Sequence, residues 1–392
     1  MANISPVVEA LTPDLIALRR DFHRHPELGF QEVRTAGIVA ERLRALGYTV
    51  RTGVGKTGVT GFLKCGAPGK TLLLRADMDA LPIREEADVA WKSERPGVMH
   101  ACGHDAHTAM GLATAAVLAK EAPRLSGNLF FVFQPAEELA AGAAAMLQDG
   151  ALDGVRPDAA LAVHVLTQWP TGTIAICEGP AMASADKLRL TVTGRGGHGA
   201  SPHLAIDPVV AAAQVITAIQ ALVSRETPPL DAAILSITML QAGTAFNIIP
   251  DTVEMTGTFR CFNPELRETL LAGLTRMAEG VAGAFRCTAQ VSHEFLTPAV
   301  LNDPAVTRIA REAAAGIVGA DGVTAPAPLT GSEDAAFFWQ KAPGCFAFIG
   351  AARPEWSPAP SMHNAKFDID ETALAIGVEF LTRTARRLLD TP

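Results

Sequence analysis

The chain has 392 residues, of which 48% are hydrophobic and 19% charged. That composition supports a sizeable core and excludes a disordered or low-complexity chain, and the length suits two domains or one large domain with an insertion. With 33 Lys and Arg against 41 Asp and Glu, the net charge is −8 and there is no basic block, which argues against nucleic acid as a partner.

The N-terminal stretch MANISPVVEALTPDL lacks the basic start, apolar run and small-residue cleavage site of a signal peptide. No apolar run approaches the roughly 18 residues that span a bilayer, so no membrane partner is expected. Val7, Val8, Leu11, Leu15, Ile16 and Leu18 recur at helical spacing and predict a first helix, broken at Pro26. A second helix is predicted from about Thr35 to Leu46, with Gly47 as its stop. TGVGKTGVTG (52–61) resembles a phosphate loop only superficially. Lys56 does not close a G-x-x-x-x-G-K-[ST] spacing and no long helix follows, so it reads as a glycine-rich turn.

TLLLRADMDA (71–80), NLFFVFQ (128–134), AALAVHV (159–165) and CFAFIG (345–350) are near-continuous apolar runs, the pattern of strands covered on both faces. GHDAHTAMGLATAAVLAKEA and GAAAMLQDGAL read as helices between them, giving an α/β domain with a mainly parallel sheet. From about residue 181 the rhythm changes. Strand 187–193, helix 207–225, strands 233–240 and 252–262, helix 264–286 and strand 288–295 follow one another. The order β-α-β-β-α-β is that of a ferredoxin-like α+β sandwich. The expected division is therefore 1–180 with 296–392, and an inserted domain at 181–295 whose exposed sheet face is a candidate dimer surface. Cys65, Cys102, Cys177, Cys261, Cys287 and Cys345 are scattered and form no disulfide framework, so a cytoplasmic location with reduced thiols is expected.

The densest chemistry lies in MHACGHDAHT (99–108). Cys102 and His104, spaced i, i+2 before a helix, can enter one pocket, and thiolate with imidazole suits zinc or another transition metal. A polar cluster at a helix start, or a Cys102–His104 nucleophile pair, are the alternatives. The strand NLFFVFQ runs into Pro135-Ala136-Glu137-Glu138, where one carboxylate can bind metal and the other take a proton from activated water. An acidic surface turn is the plainer account. His164 sits inside an apolar strand, where an imidazole needs a hydrogen bond or a metal. His363 lies on a loop before the last helix. Asp77 and Asp79 alternate at a strand end and can orient a histidine, or simply form a turn. Asp105 can orient a histidine or cap the helix.

Taken in order, MHACGHDAHT, QPAEE, AVHV, GRGGHGASPH, GSEDAAFF and MHNAKFDIDE resemble the M20 metallopeptidase family. They are most similar to its amidohydrolase branch of hippurate hydrolases, N-acyl-amino-acid amidohydrolases and indole-3-acetyl-amino-acid hydrolases. The resemblance runs from HRHPELGFQE (23–32) to the last helix. It implies a catalytic α/β domain with an inserted ferredoxin-like lid or dimerisation domain, and two divalent metal ions (Mn²⁺, Zn²⁺, Co²⁺ or Ni²⁺) per subunit. The implied ligands are Cys102, His104, Glu138, His164 and His363, with Glu137 as general base. Asp77 stands where a histidine ligand occurs in many relatives and stays outside the ligand set; Asp79 and Asp105 are expected behind the ligands, and His100 and His107 as hydrogen-bonding neighbours. His198, otherwise an ordinary turn residue, is implied to reach the partner subunit's site in a homodimer and stabilise the oxyanion. Asn247 and Arg260 are candidates for a substrate carboxylate, and Gly331 and Ser332 for a pocket-lining loop, with surface and capping roles as alternatives. The implied reaction is hydrolysis of an N-acyl amino acid to a carboxylic acid and a free amino acid. A dipeptidase, an N-acetyl-diaminopimelate deacetylase and a catalytically silent binding homologue are the alternatives.

Overall fold

The computed structural model describes residues 2–390. Contacts divide the chain into two units: Met1–Ala181, Leu301–Pro328 and Asp334–Pro392 form the larger, and Met182–Val300 with Leu329–Glu333 the smaller.

The larger unit opens with helices α1 (Pro6–Arg24) and α2 (Val33–Ala45) and strands β1 (Thr49–Val54), β2 (Gly58–Lys64) and β3 (Ala67–Asp77). Helix α3 (His104–Glu121) and strands β4 (Ser126–Gln134) and β5 (Ala159–Pro170) follow. These strands join an eight-stranded sheet ordered β1-β2-β4-β3-β5, then Gly344–Ala352, Ile174–Ala175 and Val323–Thr324. Its centre is parallel: β3 runs with β4 and β5, and β5 with Gly344–Ala352. The β1–β2, β2–β4 and Gly344–Ala352/Ile174–Ala175 pairings are antiparallel.

The unbroken apolar runs have a simple cause, since alternate side chains enter two different cores. Leu72, Leu74, Phe131, Phe133, Leu161 and Val163 pack with helical residues such as Phe22 and Met110. Leu73, Phe130, Val132 and Ala160 enter a second cluster with Met146 and Phe338. Each such buried Leu, Val or Phe side chain contributes about 1.5–3 kcal/mol relative to exposure.

The smaller unit has an antiparallel sheet ordered Ala233–Ala242, Thr252–Cys261, Ser184–Thr193, Thr288–Thr297. Helices Pro208–Ala221 and Pro264–Ala284 are N-capped by Asp207 and Asn263, and the element order is β-α-β-β-α-β. Leu188, Leu190 and Val192 are buried in the unit's core while Lys187 and Arg189, which alternate with them, are exposed, so this central strand turns polar side chains outward. Segment Pro208–Glu226 is long and apolar enough, by length and composition, to cross a bilayer, an exception to the sequence expectation. Its Ala211, Val215, Ile219 and Leu222 belong to the unit's core, which accounts for one face of the apolarity, while Val209 and Val210 are exposed. Leu329–Glu333 groups with this unit because Ala183 N donates to Leu329 O and Gly331 O at 3.2 and 2.9 Å.

Candidate metal centre

Strand ends of the larger unit converge on the first turn of α3. Gly103 caps that helix at φ 93°, and a Cβ there would stand 2.4 Å from Val165, so glycine alone permits this tight entry. Thr108 Oγ1 donates to Asp77 O at 2.7 Å, fastening α3 to the end of β3. His363 N donates to Ala101 O at 2.8 Å, which brings the late loop against the same stretch.

His104 is fully buried, and its Nδ1 donates to Asp79 O at 2.9 Å, with Asp79 Oδ1 at 3.1 Å. That fixes the tautomer and leaves Nε2 as the ring atom for a further ligand. Nε2 lies 3.9 Å from Glu137 Oε2, 4.0 Å from Glu138 Oε1 and 3.6 Å from Asp77 Oδ2, and makes no hydrogen bond. Glu138 Oε1 is likewise buried without a hydrogen bond. Glu138 N donates to Asp79 Oδ2 at 3.0 Å, so one aspartate holds both His104 and the Glu138 backbone. His164 donates through Nδ1 to Val165 O at 2.8 Å and turns Nε2 to Cys102 Sγ at 3.5 Å. His363 Nε2 lies 3.3 Å from Glu138 Oε2, and its side chain is half exposed.

Ligand-type atoms of Cys102, His104 and His164 all lie within 4.8 Å of one another, as do those of Cys102, Glu138 and His363, and of His104, Glu137 and Glu138. All five sequence candidates are thus brought together, with Glu137 beside them. Two buried polar atoms without partners, aimed at a thiol, imidazoles and carboxylates, fit divalent cations: unpaired, each carries a desolvation penalty that a metal removes.

His107 has no ring nitrogen to offer. Nδ1 donates to Asp77 Oδ1 at 2.6 Å and Nε2 accepts from Val165 N at 2.9 Å. Asp77 in turn takes Arg75 Nη1 at 2.7 Å. Burial opposes its ionisation, but His104, Arg75 and His107 hold it well below the usual carboxylate range. Burial also pushes the Cys102 thiol up to about 12 and His164 well down, so without metal the thiol is protonated and His164 neutral. For His104, burial is outweighed by Asp77, Cys102 and Asp79, and the ring is raised.

Two expectations need correction. Asp105 does not cap α3 and meets no candidate ligand. Fully buried, it faces α1, with His23 Nδ1 at 2.8 Å and Arg19 Nε at 2.7 Å, an ion pair outside hydrogen-bond angles. His100 is not a hydrogen-bonding neighbour, since neither ring nitrogen makes a hydrogen bond, and burial lowers it to about 3.

The smaller unit holds the other candidates. His198 pairs with Ile248 in a two-residue ribbon and is exposed, and its Nδ1 accepts from Ala200 N at 3.0 Å, leaving Nε2 as donor. Asn247 is also exposed, and its carbonyl accepts from Gly199 N at 2.8 Å. Arg260 donates through Nη1 to Ser332 Oγ at 2.8 Å and through Nε to Thr258 Oγ1 at 3.3 Å. Ser332 therefore steadies a guanidinium rather than capping a helix. Burial depresses the Arg260 pKa, consistent with a cation that has lost water. Gly331 lies beside Met182, 3.4 Å from where its Cβ would stand.

Sequence reasoning missed Arg75 and Gln134, which interlock at the ends of β3 and β4 with Asp334 of the GSEDAAFF stretch: Gln134 Nε2 donates to Asp334 Oδ1 at 2.5 Å and Arg75 Nε to Gln134 Oε1 at 2.9 Å. The signal available was a polar residue at each end of an apolar run.

Residues 73–387 match the sequence profile of Peptidase family M20/M25/M40. The chain is 38% identical over 386 residues to the N-acetyl-L-cysteine deacetylase of Bacillus subtilis, covering 98% of this chain and 90% of that protein. It is 39% identical over 367 residues to thermostable carboxypeptidase 2 of Saccharolobus solfataricus, covering 93% and 92%. A Bacillus subtilis crystal structure, described as a dinuclear metal binding peptidase from the M20 family, superposes with a TM-score of 0.86. It is 36% identical and covers 98% of this chain and 100% of that one.

Proposed function

The chain belongs to Peptidase family M20/M25/M40, and from that premise we propose that it hydrolyses the amide bond of N-acyl amino acids, releasing a carboxylic acid and a free amino acid. The observation that carries this reading is the pair of adjacent carboxylates at one strand end. Glu138 faces His363 and the thiol, while Glu137 stands 3.9 Å from the partnerless nitrogen of His104.

Cys102, His104, Glu138, His164 and His363 hold two divalent cations per subunit in this reading, with Mn²⁺, Zn²⁺, Co²⁺ and Ni²⁺ as candidates. When bound, such cations polarise an amide carbonyl and lower the pKa of water. Glu137 takes the proton of the attacking water and returns it to the leaving amine nitrogen. Asp79 keeps His104 in the tautomer that presents Nε2. Arg260, held by Ser332, anchors the substrate carboxylate through paired hydrogen bonds, assisted by Asn247 and the Gly331 backbone. His198 of a second copy donates to the charge developing on the carbonyl oxygen. A homodimer through the smaller unit is supported by exposed Met239, Leu240, Phe246 and Ile248. Six free, buried cysteines support a cytoplasmic location.

The two curated relatives favour one leaving group. A deacetylase of N-acetyl-L-cysteine and a carboxypeptidase both cleave an amide whose nitrogen belongs to an amino acid with an unblocked carboxylate. The carboxypeptidase favours a second reading, in which the acyl side is a peptide. The test is a panel of N-acetyl amino acids, hippurate, dipeptides and carboxyl-blocked N-acetyl amino acid amides, after chelation and reloading with each metal. Acylated amino acids should be cleaved fastest and blocked amides not at all, with chelation abolishing turnover. Preference for longer peptides favours the second reading, and no turnover with any metal leaves a silent binding homologue.

A further inference from the structure

The segment PELGFQE (26–32) supplies no candidate ligand, yet it ties together the strand end that carries Asp79, which orients His104, and the strand end that carries Glu137 and Glu138. Ala80 N, just beyond Asp79, donates to Glu27 O at 2.8 Å beside a short parallel pairing of Leu28 with Ala80. The Glu27 carboxylate accepts from Arg34 N and Thr35 N at 3.0 and 2.8 Å, fixing the first turn of α2. Gly29 lies against Ala136, where a Cβ would stand 3.1 Å from Ala136 Cα and Cβ.

The segment ends at Glu32, which is fully buried. Its Oε1 accepts from Ala136 N at 2.9 Å, and its Oε2 from the Thr57 hydroxyl at 2.5 Å. Ala136 immediately precedes Glu137 and has φ 50°, a left-handed conformation unfavourable for a residue with a Cβ. Such a conformation persists where its surroundings over-determine it. Here both backbone groups are engaged, because Ala136 O also accepts from Gly142 N at 3.2 Å. A rotation at Ala136 would swing the next side chain.

We propose that Glu32 is a positioning residue for Glu137, holding the Ala136 N–H so that the left-handed turn aims the neighbouring carboxylate. The inference rests on the reading of Glu137 as the base. Glu32 touches no reacting atom and acts through the turn. A glutamine at this position keeps an acceptor for Ala136 N–H and offers its amide to the Thr57 oxygen, whereas alanine leaves the N–H buried and unpaired.

The experiment compares Glu32→Ala, Glu32→Gln and Glu137→Gln in the metal-loaded protein, with metal content, kcat and KM measured on the best substrate of the panel. Misplacing a catalytic group by about an ångström costs on the order of 100-fold. Glu32→Ala should therefore lower kcat about 10- to 100-fold while keeping the wild-type metal content and a KM within about threefold. Glu32→Gln should restore kcat to within about threefold of wild type. Wild-type kcat in Glu32→Ala overturns the proposal, as does a loss that tracks metal content or a Glu32→Gln as slow as the alanine variant. If Glu32→Ala does not fold, Glu32→Asp carries the test, since the shorter side chain draws the carboxylate away from Ala136 N: a kcat loss at wild-type metal content supports the proposal, and wild-type kcat overturns it. An active Glu137→Gln removes the base, and the positioning role with it. An inactive Glu137→Gln beside a fully active Glu32→Ala removes the positioning role alone.

Discussion

The two units present their chemistry-bearing side chains in opposite ways. In the larger, His104, Asp77 and Asp79 are buried, and each is bonded to at least one further buried group. In the smaller, His198 and Asn247 are exposed and held through neighbouring backbone, while Arg260 is half-buried on Ser332 and Thr258. A buried network is assembled before any ligand arrives, and losing one member strands its partner in low dielectric. An exposed group has water as an alternative, so its loss is graded. Changes in the first region should therefore act steeply on stability and metal binding, and changes in the second modestly on substrate affinity.

The steepest effect is expected at Asp105→Ala, which strips Arg19 and His23 of their shared buried carboxylate. Removing one partner of such a pair destabilises by about 3–5 kcal/mol. Urea denaturation checks this, and a change under about 1 kcal/mol would put Asp105 among the indifferent surface-like positions. Asp79→Asn should weaken metal binding about 10- to 100-fold, because it alters the group that orients His104 and the Glu138 backbone. Unchanged affinity in a competition titration would break the link between burial and metal control. Next is pH. Burial holds the metal-free Cys102 thiol near 12, and a thiolate ligand must shed that proton. Metal affinity should rise about tenfold per pH unit for each proton released, and a flat profile between pH 6 and 8 would exclude thiolate ligation. Smallest of all, Arg260→Ala should raise KM up to about tenfold with little change in kcat, the partial exposure of the guanidinium moderating the loss. A collapse of kcat instead would place Arg260 in the chemistry and blur the contrast.

The readable parts of this molecule share one property, that their meaning lies within a few residues. Unbroken apolar runs marked the central strands because two cores take alternate side chains. Cys102 with His104, and Glu137 with Glu138, stood out because donor types cluster at run ends. Asp105 misled because an acidic residue in a first turn reads as a cap, while its partner Arg19 lies on a distant helix and Gly103 does the capping. His100 misled because sequence gives no view of what surrounds a buried ring. Glu32 was invisible in role, since its partner is a backbone N–H 104 residues away and no side-chain pattern encodes it. The exposed face of the smaller sheet and the helix at 207–225 were both legible from spacing, whereas the bilayer-length apolarity of Pro208–Glu226 was not, because its apolar residues are interrupted by Gln214, Thr217 and Gln220.

The central claim is that neighbouring carboxylates divide the labour, Glu138 holding metal and Glu137 moving the proton. The most direct measurement is metal content and turnover of Glu137→Gln beside Glu138→Gln. The account predicts that Glu137→Gln keeps its metal while kcat falls about 10²- to 10⁴-fold, and that Glu138→Gln loses metal and activity together. A Glu137→Gln protein that turns over at the wild-type rate, or one that has lost its metal, would contradict it.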